Sequence, residues 1–135
     1  MAKKVNTILL VDDDLAINFF HKRLLSKLDF GETIVPLYNG AEAIRDVREL
    51  NSSLSEKDLV LIFLDINMPI MDGWEFLDSF KNISSELNYQ FKIFVLSSSI
   101  NPDDIKKAKS NVFVTDYFSK PLMLESVATL KEQYL

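Results

Sequence analysis

Cysteine is absent from the 135 residues. That removes disulfides and thiolate metal sites, and fits a reducing compartment. Long apolar runs are absent as well. The first run, Ile8 to Val11, follows Lys3 and Lys4 and stops at three aspartates, too short for a signal sequence or a membrane span. Histidine occurs once, as His21, with no second histidine or carboxylate at helical spacing to form a ligand pair; it is read as a helix-surface or boundary residue. There is no basic surplus, since 15 Lys and Arg face 20 Asp and Glu, which argues against a surface built for nucleic-acid phosphates or anionic lipid. No repeat, low-complexity segment or linker interrupts the chain. Residues 1–135 are therefore expected to form a single cytoplasmic domain, with no membrane and no nucleic-acid partner.

What is present is organised around Leu59 to Gly73, LVLIFLDINMPIMDG. The apolar run Leu59 to Leu64 lacks polar alternation, as expected of a central strand buried on both faces of a parallel sheet. It ends at Asp65, and Asn67, Pro69 and Gly73 then mark a loop. A carboxylate is thereby displayed at the carboxyl edge of a sheet, where open α/β folds place their ligands.

The remaining segments alternate in the same manner. Thr7 to Val11 predicts a first strand, with Asp14 as N-cap of a helix whose stripe is Ile17, Phe20, Leu24 and Leu28 and which Gly31 closes. Thr33 to Tyr38 predicts a second strand, confined to an edge by Pro36, which lacks an N–H for the ladder. Asn39 and Gly40 lead into a helix carrying Ala43, Ile44, Val47 and Leu50 inward. Trp74, Leu77, Phe80 and Ile83 predict a third helix, and Met68 and Met71 before it read as loop packing. Phe91 to Leu96 predicts a fourth strand, followed by a Lys-rich helix from about Asp103 to Ser110 with Pro102 in its first turn and few apolar residues. Val112 to Phe118 predicts a fifth strand, and Leu122, Val127, Leu130 and Tyr134 line a last helix.

Five strand-then-helix units predict an α/β fold, a doubly wound parallel sheet of flavodoxin-like (βα)5 form. Buried first and third strands with an edge second strand give the order 2-1-3-4-5. All strand ends then open on one face, where Asp12, Asp13, Asp65, Ser97 and Lys120 converge. Two carboxylates about 4 Å apart repel by roughly 4 kcal/mol at an effective dielectric near 20, so such a cluster calls for a cation. Hard oxygen ligands select Mg²⁺ or Mn²⁺. A lysine and a hydroxyl opposite the metal suit the oxygens of a phosphoryl group, and an ionised aspartate can itself attack phosphorus.

Placed at the ends of separate strands, ILLVDDD, LDINMPIMDG, VLSSS and YFSKP together make the chain resemble the receiver domains of bacterial two-component response regulators, and in particular the single-domain chemotaxis type. The resemblance covers essentially the whole chain. It implies Asp65 as phospho-acceptor, Asp13, Asp65 and the Asn67 carbonyl as Mg²⁺ ligands, and Asp12 as a water-mediated partner of the metal. It further implies that Ser97 and Lys120 hold the phosphoryl oxygens and that Tyr117 is an aromatic switch. Ser97 stands where the family more often has threonine, and Ser110 with Asn111 where Gly-Ala is common. Taken singly, Asp12 and Asp14 also suit helix capping, Ser97 an ordinary strand end, Lys120 a solvated lysine and Tyr117 a half-buried aromatic. As an exposed cation, Lys120 should be removable with little effect on folding.

A competing class is a Mg²⁺-dependent phosphohydrolase with an aspartyl-phosphate intermediate; enzymes of that kind usually carry a second aspartate two residues after the nucleophile, where this chain has Asn67. The expected function is that of a stand-alone phospho-switch rather than an enzyme, one that assists only its own phosphoryl transfer and dephosphorylation. It would accept phosphoryl groups from a histidine kinase or phosphotransfer protein. Because Leu135 ends the sequence within the fifth helix, output is expected through protein contact on the face made by the fourth helix, fifth strand and fifth helix.

Overall fold

A computed structural model describes residues 4–135, so Lys3 lies outside the described residues. Five parallel strands, β1 Thr7–Val11, β2 Thr33–Leu37, β3 Leu59–Leu64, β4 Gln90–Ser97 and β5 Val114–Ser119, form one sheet in the order β2-β1-β3-β4-β5. Helices α1 Leu15–Lys27, α2 Gly40–Leu50, α3 Gly73–Ile83, α4 Pro102–Ser110 and α5 Leu124–Tyr134 follow the strands in turn. Pro36 lies on the edge strand, opposite Leu10.

The central strands are apolar along their whole length because alternate side chains enter two different cores. Leu9, Val11, Val60, Ile62 and Leu64 pack against Val47 of α2 and Phe76, Leu77 and Phe80 of α3. Ile8, Leu10, Leu61, Phe63 and Phe94 pack against Leu25 of α1 and Val127 and Leu130 of α5. All six residues of β3 are buried. Helix α4 buries only Ala108, against Ile66 and Val95, and is the most lightly anchored helix.

Helix α1 differs from its expected orientation. Its buried residues are Asn18, His21 and Leu25, one position round from the Ile17–Phe20–Leu24 stripe, and Phe19 and Phe20 face outward at 67% and 43% exposure. His21 is thus a core residue rather than a surface one. The inner face carries polar side chains because backbone groups at the strand ends lie opposite it and need partners. Helix α1 also ends before Gly31: Leu28 is the C-cap, and Asp29 takes the left-handed conformation at φ 51°.

Strand β5 begins at Val114, two residues later than the apolar pattern suggested, and Val112 is 88% exposed. Its register against β4 slips between Ile93 and Phe94, which pair with Val114 and Asp116 and leave Thr115 as an extra residue. Beyond this bulge Ser97 lies beside Ser119, so Lys120 emerges next to the end of β4.

Candidate functional site

Strand register brings the site together. Val11 pairs with Leu64, so Asp12 and Asp65 leave adjacent strand ends side by side. Backbone hydrogen bonds carry the order one residue further, Asp65 N–H donating to Val11 O at 2.9 Å and Asp12 N–H to Leu37 O at 3.0 Å. Asp12, Asp65 and Ser97 are buried, whereas Asp13 is exposed at the rim. One carboxylate oxygen from each of Asp12, Asp13 and Asp65 falls within a 4.8 Å group.

Lys120 completes the cluster. Its Nζ lies 2.8 Å from Asp12 Oδ2 and 3.5 Å from Asp65 Oδ2, and its side chain is only 13% exposed. This corrects the reading of Lys120 as an exposed cation, because the two carboxylates and the strand ends enclose it. Burial works to lower the Lys120 pKa, but the Asp12 hydrogen bond and the charges of Asp65 and Asp12 outweigh it and hold the ammonium above its ordinary value. For Asp65 the balance runs the other way. Burial and then the Asp12 charge push its carboxyl up to about 6, against the opposing pull of Lys120 and the Asn67 backbone N–H. One lysine therefore leaves the negative charge of the cluster undercompensated.

The loop after Asp65 is held close to it. Gly73 N–H donates to Ile66 O at 3.1 Å, and a Cβ at Gly73 would meet Asp65 O at 2.5 Å and Ile66 Cα at 2.7 Å. Only glycine lets α3 start this near the carboxylate's own backbone. Asp72 caps α3 through Glu75 N–H, and Asp14 caps α1 by accepting from Ala16 and Ile17 N–H. Met68 is buried and Met71 packs against the core, as their reading as loop packing required.

Ser97 and Tyr117 are joined through a residue that the sequence reading passed over. Ser97 Oγ accepts from Ser99 N–H at 3.1 Å, and Tyr117 Oη donates to Ser99 O at 2.9 Å. Ser99 also donates from its hydroxyl to Asp104 Oδ2 at 2.7 Å, which ties the loop to the first turn of α4. Asn18 and His21 were missed as well. The available signal was a pair of polar residues three apart on a helix whose outer face carries two phenylalanines.

Residues 8–131 match the family model described as the response regulator receiver domain. The chain belongs to that family. Receiver domains act in two-component phosphorelay signalling, where a histidine kinase or phosphotransfer protein phosphorylates them. A probable methanogenesis regulatory protein, FilR2 of Methanothrix harundinacea (strain 6Ac), is 33% identical over 95% of this chain and 83% of its own. The crystal structure of a two-component response regulator from Cytophaga hutchinsonii superposes with a TM-score of 0.78 at 30% identity, covering 96% of both chains. The co-crystal structure of Saccharomyces cerevisiae Ypd1, a histidine phosphotransfer protein, with the receiver domain of Ssk1 supplies a further match in fold; its TM-score is 0.77 at 21% identity, over 99% of this chain and 90% of the other. Some other curated relatives are much longer, the match spanning 54% of one and 11% of another. The receiver fold accounts for the strand order and for the convergence of acidic residues at one edge. Among the described residues no helix is long and apolar enough to cross a membrane.

Proposed function

We propose that this receiver domain is phosphorylated on Asp65 and works as a cytoplasmic switch whose output is protein contact. The observation that carries the reading is the Asp65 carboxylate itself, buried at a strand end beside two other acidic groups, with the Lys120 ammonium 3.5 Å away. A carboxylate so placed is a nucleophile with a cation ready for the charge it acquires.

The donor set suits Mg²⁺ or Mn²⁺, being all oxygen and carrying negative charge that Lys120 alone leaves uncompensated. Asp13, Asp65 and the Asn67 carbonyl would hold the ion directly and Asp12 through water. When bound, it supplies positive charge to the oxygens of the incoming phosphoryl group. The chain's own residues do the rest. An oxygen of Asp65 forms the new bond to phosphorus as the bond from phosphorus to the donor's nitrogen breaks, and a proton from solvent taken up by the donor's ring lets it leave as a neutral imidazole. Lys120 turns from Asp12 toward a phosphoryl oxygen, and Ser97 donates its hydroxyl to another. Hydrolysis of the resulting acyl phosphate uses the same groups, so the domain assists its own dephosphorylation.

Residues 1–135 would act as a single receiver unit. A sensor histidine kinase or phosphotransfer protein is the proposed donor, a reading supported by the Ypd1–Ssk1 pairing of a similarly folded domain. The proposed target surface is α4, β5 and α5, since α4 is the most lightly packed helix and Tyr117 lies beside it. The Asn67 amide does not ionise in a range that serves general acid–base catalysis, which disfavours the phosphohydrolase alternative.

The test is incubation with Mg²⁺ and either phosphoramidate, which carries a P–N bond, or a panel of phosphoesters. Stoichiometric labelling by phosphoramidate without phosphoester turnover is expected. Sustained phosphoester turnover would transfer support to the hydrolase, and absence of labelling would reject the acceptor role.

A further inference from the structure

Helix α1 touches the backbone of both segments that carry the Lys120–Asp12 pair. Asn18 Nδ2 donates to Asp12 O at 2.9 Å and to Leu37 O at 3.3 Å. One turn on, His21 Nε2 accepts from Leu122 N–H at 2.9 Å. Both side chains are at most 2% exposed. They line a narrow gap, with Asp12, Phe63, Asp65 and Leu96, that leaves no room for a water molecule beside the native side chains.

The contact to Leu122 matters because of what precedes it. Pro121 has no N–H, so Leu122 supplies the first backbone donor after Lys120. On the other side Lys120 N–H donates to Ser97 O at 3.0 Å. The Lys120 backbone is thus held from two directions, by β4 through its own N–H and by α1 through His21. A leucine at position 21 would suit the apolar core beside it but would leave Leu122 N–H buried without an acceptor. The imidazole is suited to accept at neutral pH, since burial lowers its pKa to about 4 despite the Asp12 charge and Lys120 adds to the lowering. Nε2 is then unprotonated, and the ring hydrogen sits on Nδ1. Asn18 is committed in the same way: turning its amide group toward two carbonyls leaves its own Oδ1 buried without a partner.

We infer that Asn18 and His21 are positioning residues that set the placement of the Lys120 ammonium against Asp12 and Asp65 by fixing both backbone segments to one face of α1. The inference rests on the proposed function for its consequence, the binding of a phosphoryl group. Neither side chain need touch that group. With His21 unable to accept, the Lys120 segment loses its α1 anchor and the ammonium samples positions away from Asp65.

Three variants separate this role from simple packing. His21→Leu fills the core without an acceptor, His21→Asn is polar but too short to reach Leu122, and His21→Gln places an acceptor oxygen near the Nε2 position. Mg²⁺ affinity and Mg²⁺-dependent beryllofluoride affinity are measured for each. His21→Leu and His21→Asn are expected to weaken beryllofluoride binding about tenfold, less than outright removal of a charge-stabilising donor costs. Mg²⁺ affinity should change little, since His21 is not among the residues that would hold the ion, and His21→Gln should recover most of the loss. Wild-type beryllofluoride affinity in either short variant, or equal loss in all three, overturns the inference. Should His21→Leu not fold, the His21→Asn and His21→Gln comparison decides alone. The wild-type protein provides an independent arm through the nitrogen–nitrogen coupling between Leu122 N and His21 Nε2 and the Lys120 ammonium resonance. A detectable coupling, with an ammonium signal lost in His21→Asn and restored in His21→Gln, supports the inference; an absent coupling contradicts it. Failure of wild-type protein to bind beryllofluoride at all would refute the phospho-acceptor reading and leave this second arm intact.

Discussion

Tyr117 donates its phenolic hydrogen to the Ser99 carbonyl at 2.9 Å, and the N–H of that same Ser99 donates to Ser97 Oγ. The two proposed switch residues are therefore linked through one residue, Ser99, as well as by strand adjacency. If Ser97 moves toward a phosphoryl oxygen, its hydrogen bond to Ser99 is disturbed, and the Tyr117 anchor and the Asp104 side chain of α4 tied to Ser99 are disturbed with it. Ser97→Ala and Tyr117→Ala are each expected to retain Mg²⁺-dependent beryllofluoride binding while losing most of the accompanying change at α4, β5 and α5. Backbone amide shifts with and without beryllofluoride measure this. Wild-type shift changes across that face in both variants would place the switch in other residues.

Removing Lys120 should now cost stability, contrary to what an exposed lysine would imply. Its side chain is 13% exposed and it is the cation facing two buried carboxylates. Lys120→Ala is expected to destabilise the metal-free protein by roughly 1 to 3 kcal/mol, below the value for a fully buried pair because the site opens to solvent at its rim. Mg²⁺ should shrink the deficit, because the acidic cluster without its ammonium binds the ion more tightly than wild type and so gains more from it. Urea unfolding with and without Mg²⁺ checks both points, and a deficit independent of the ion would show that Lys120 acts apart from the acidic cluster.

Asp65→Asn should stabilise the metal-free fold at neutral pH. Burial and the Asp12 charge raise the Asp65 carboxyl to about 6 from its ordinary 3.8. A folded-state pKa above the unfolded one means that the folded protein binds more protons between those values. Ionised Asp65 therefore penalises the fold above about pH 6, and the penalty disappears as the pH falls toward 3.8. The upper limit of this penalty is about 3 kcal/mol, which Asp65→Asn removes. Unfolding curves of the two proteins should differ most at pH 7 and converge near pH 4, and a difference constant over that range would count against the raised pKa.

Asp13→Ala should weaken Mg²⁺ binding more than Asp12→Ala, because a direct ligand loses more than a water-mediated partner. Apparent affinity should also fall as the pH drops through about 6, where protons compete for Asp65. Emission from the single tryptophan, Trp74, half-buried at the start of α3 next to the site loop, can follow the titrations. Equal losses for the two variants would contradict the assignment of direct and outer ligands.

Much of the fold was legible because its signals are local. The run Leu59 to Leu64 is apolar without alternation since β3 is covered on both faces, and Pro36 marks an edge by its chemistry alone. Asp12, Asp65 and Lys120 were legible as a set once each was placed at a strand end. The α1 face was misjudged because an apolar stripe was sought where Asn18 and His21 turn inward to the backbone of Leu37 and Leu122, far away in sequence. Nothing in Ser97, Ser98 and Ser99 taken as a run distinguishes the one whose backbone links two other residues. Lys120 looked exposed because its enclosure depends on strand register, and the Thr115 bulge that sets that register has no signature in the apolar pattern.

The most direct test of the central claim is to incubate the protein with acetyl phosphate and Mg²⁺ and locate the label by intact mass and peptide mapping. Labelling is expected on the peptide containing Asp65 and on no other, with none in Asp65→Asn; undiminished labelling of Asp65→Asn, or a label mapped to a different residue, would contradict the assignment of Asp65 as the phospho-acceptor.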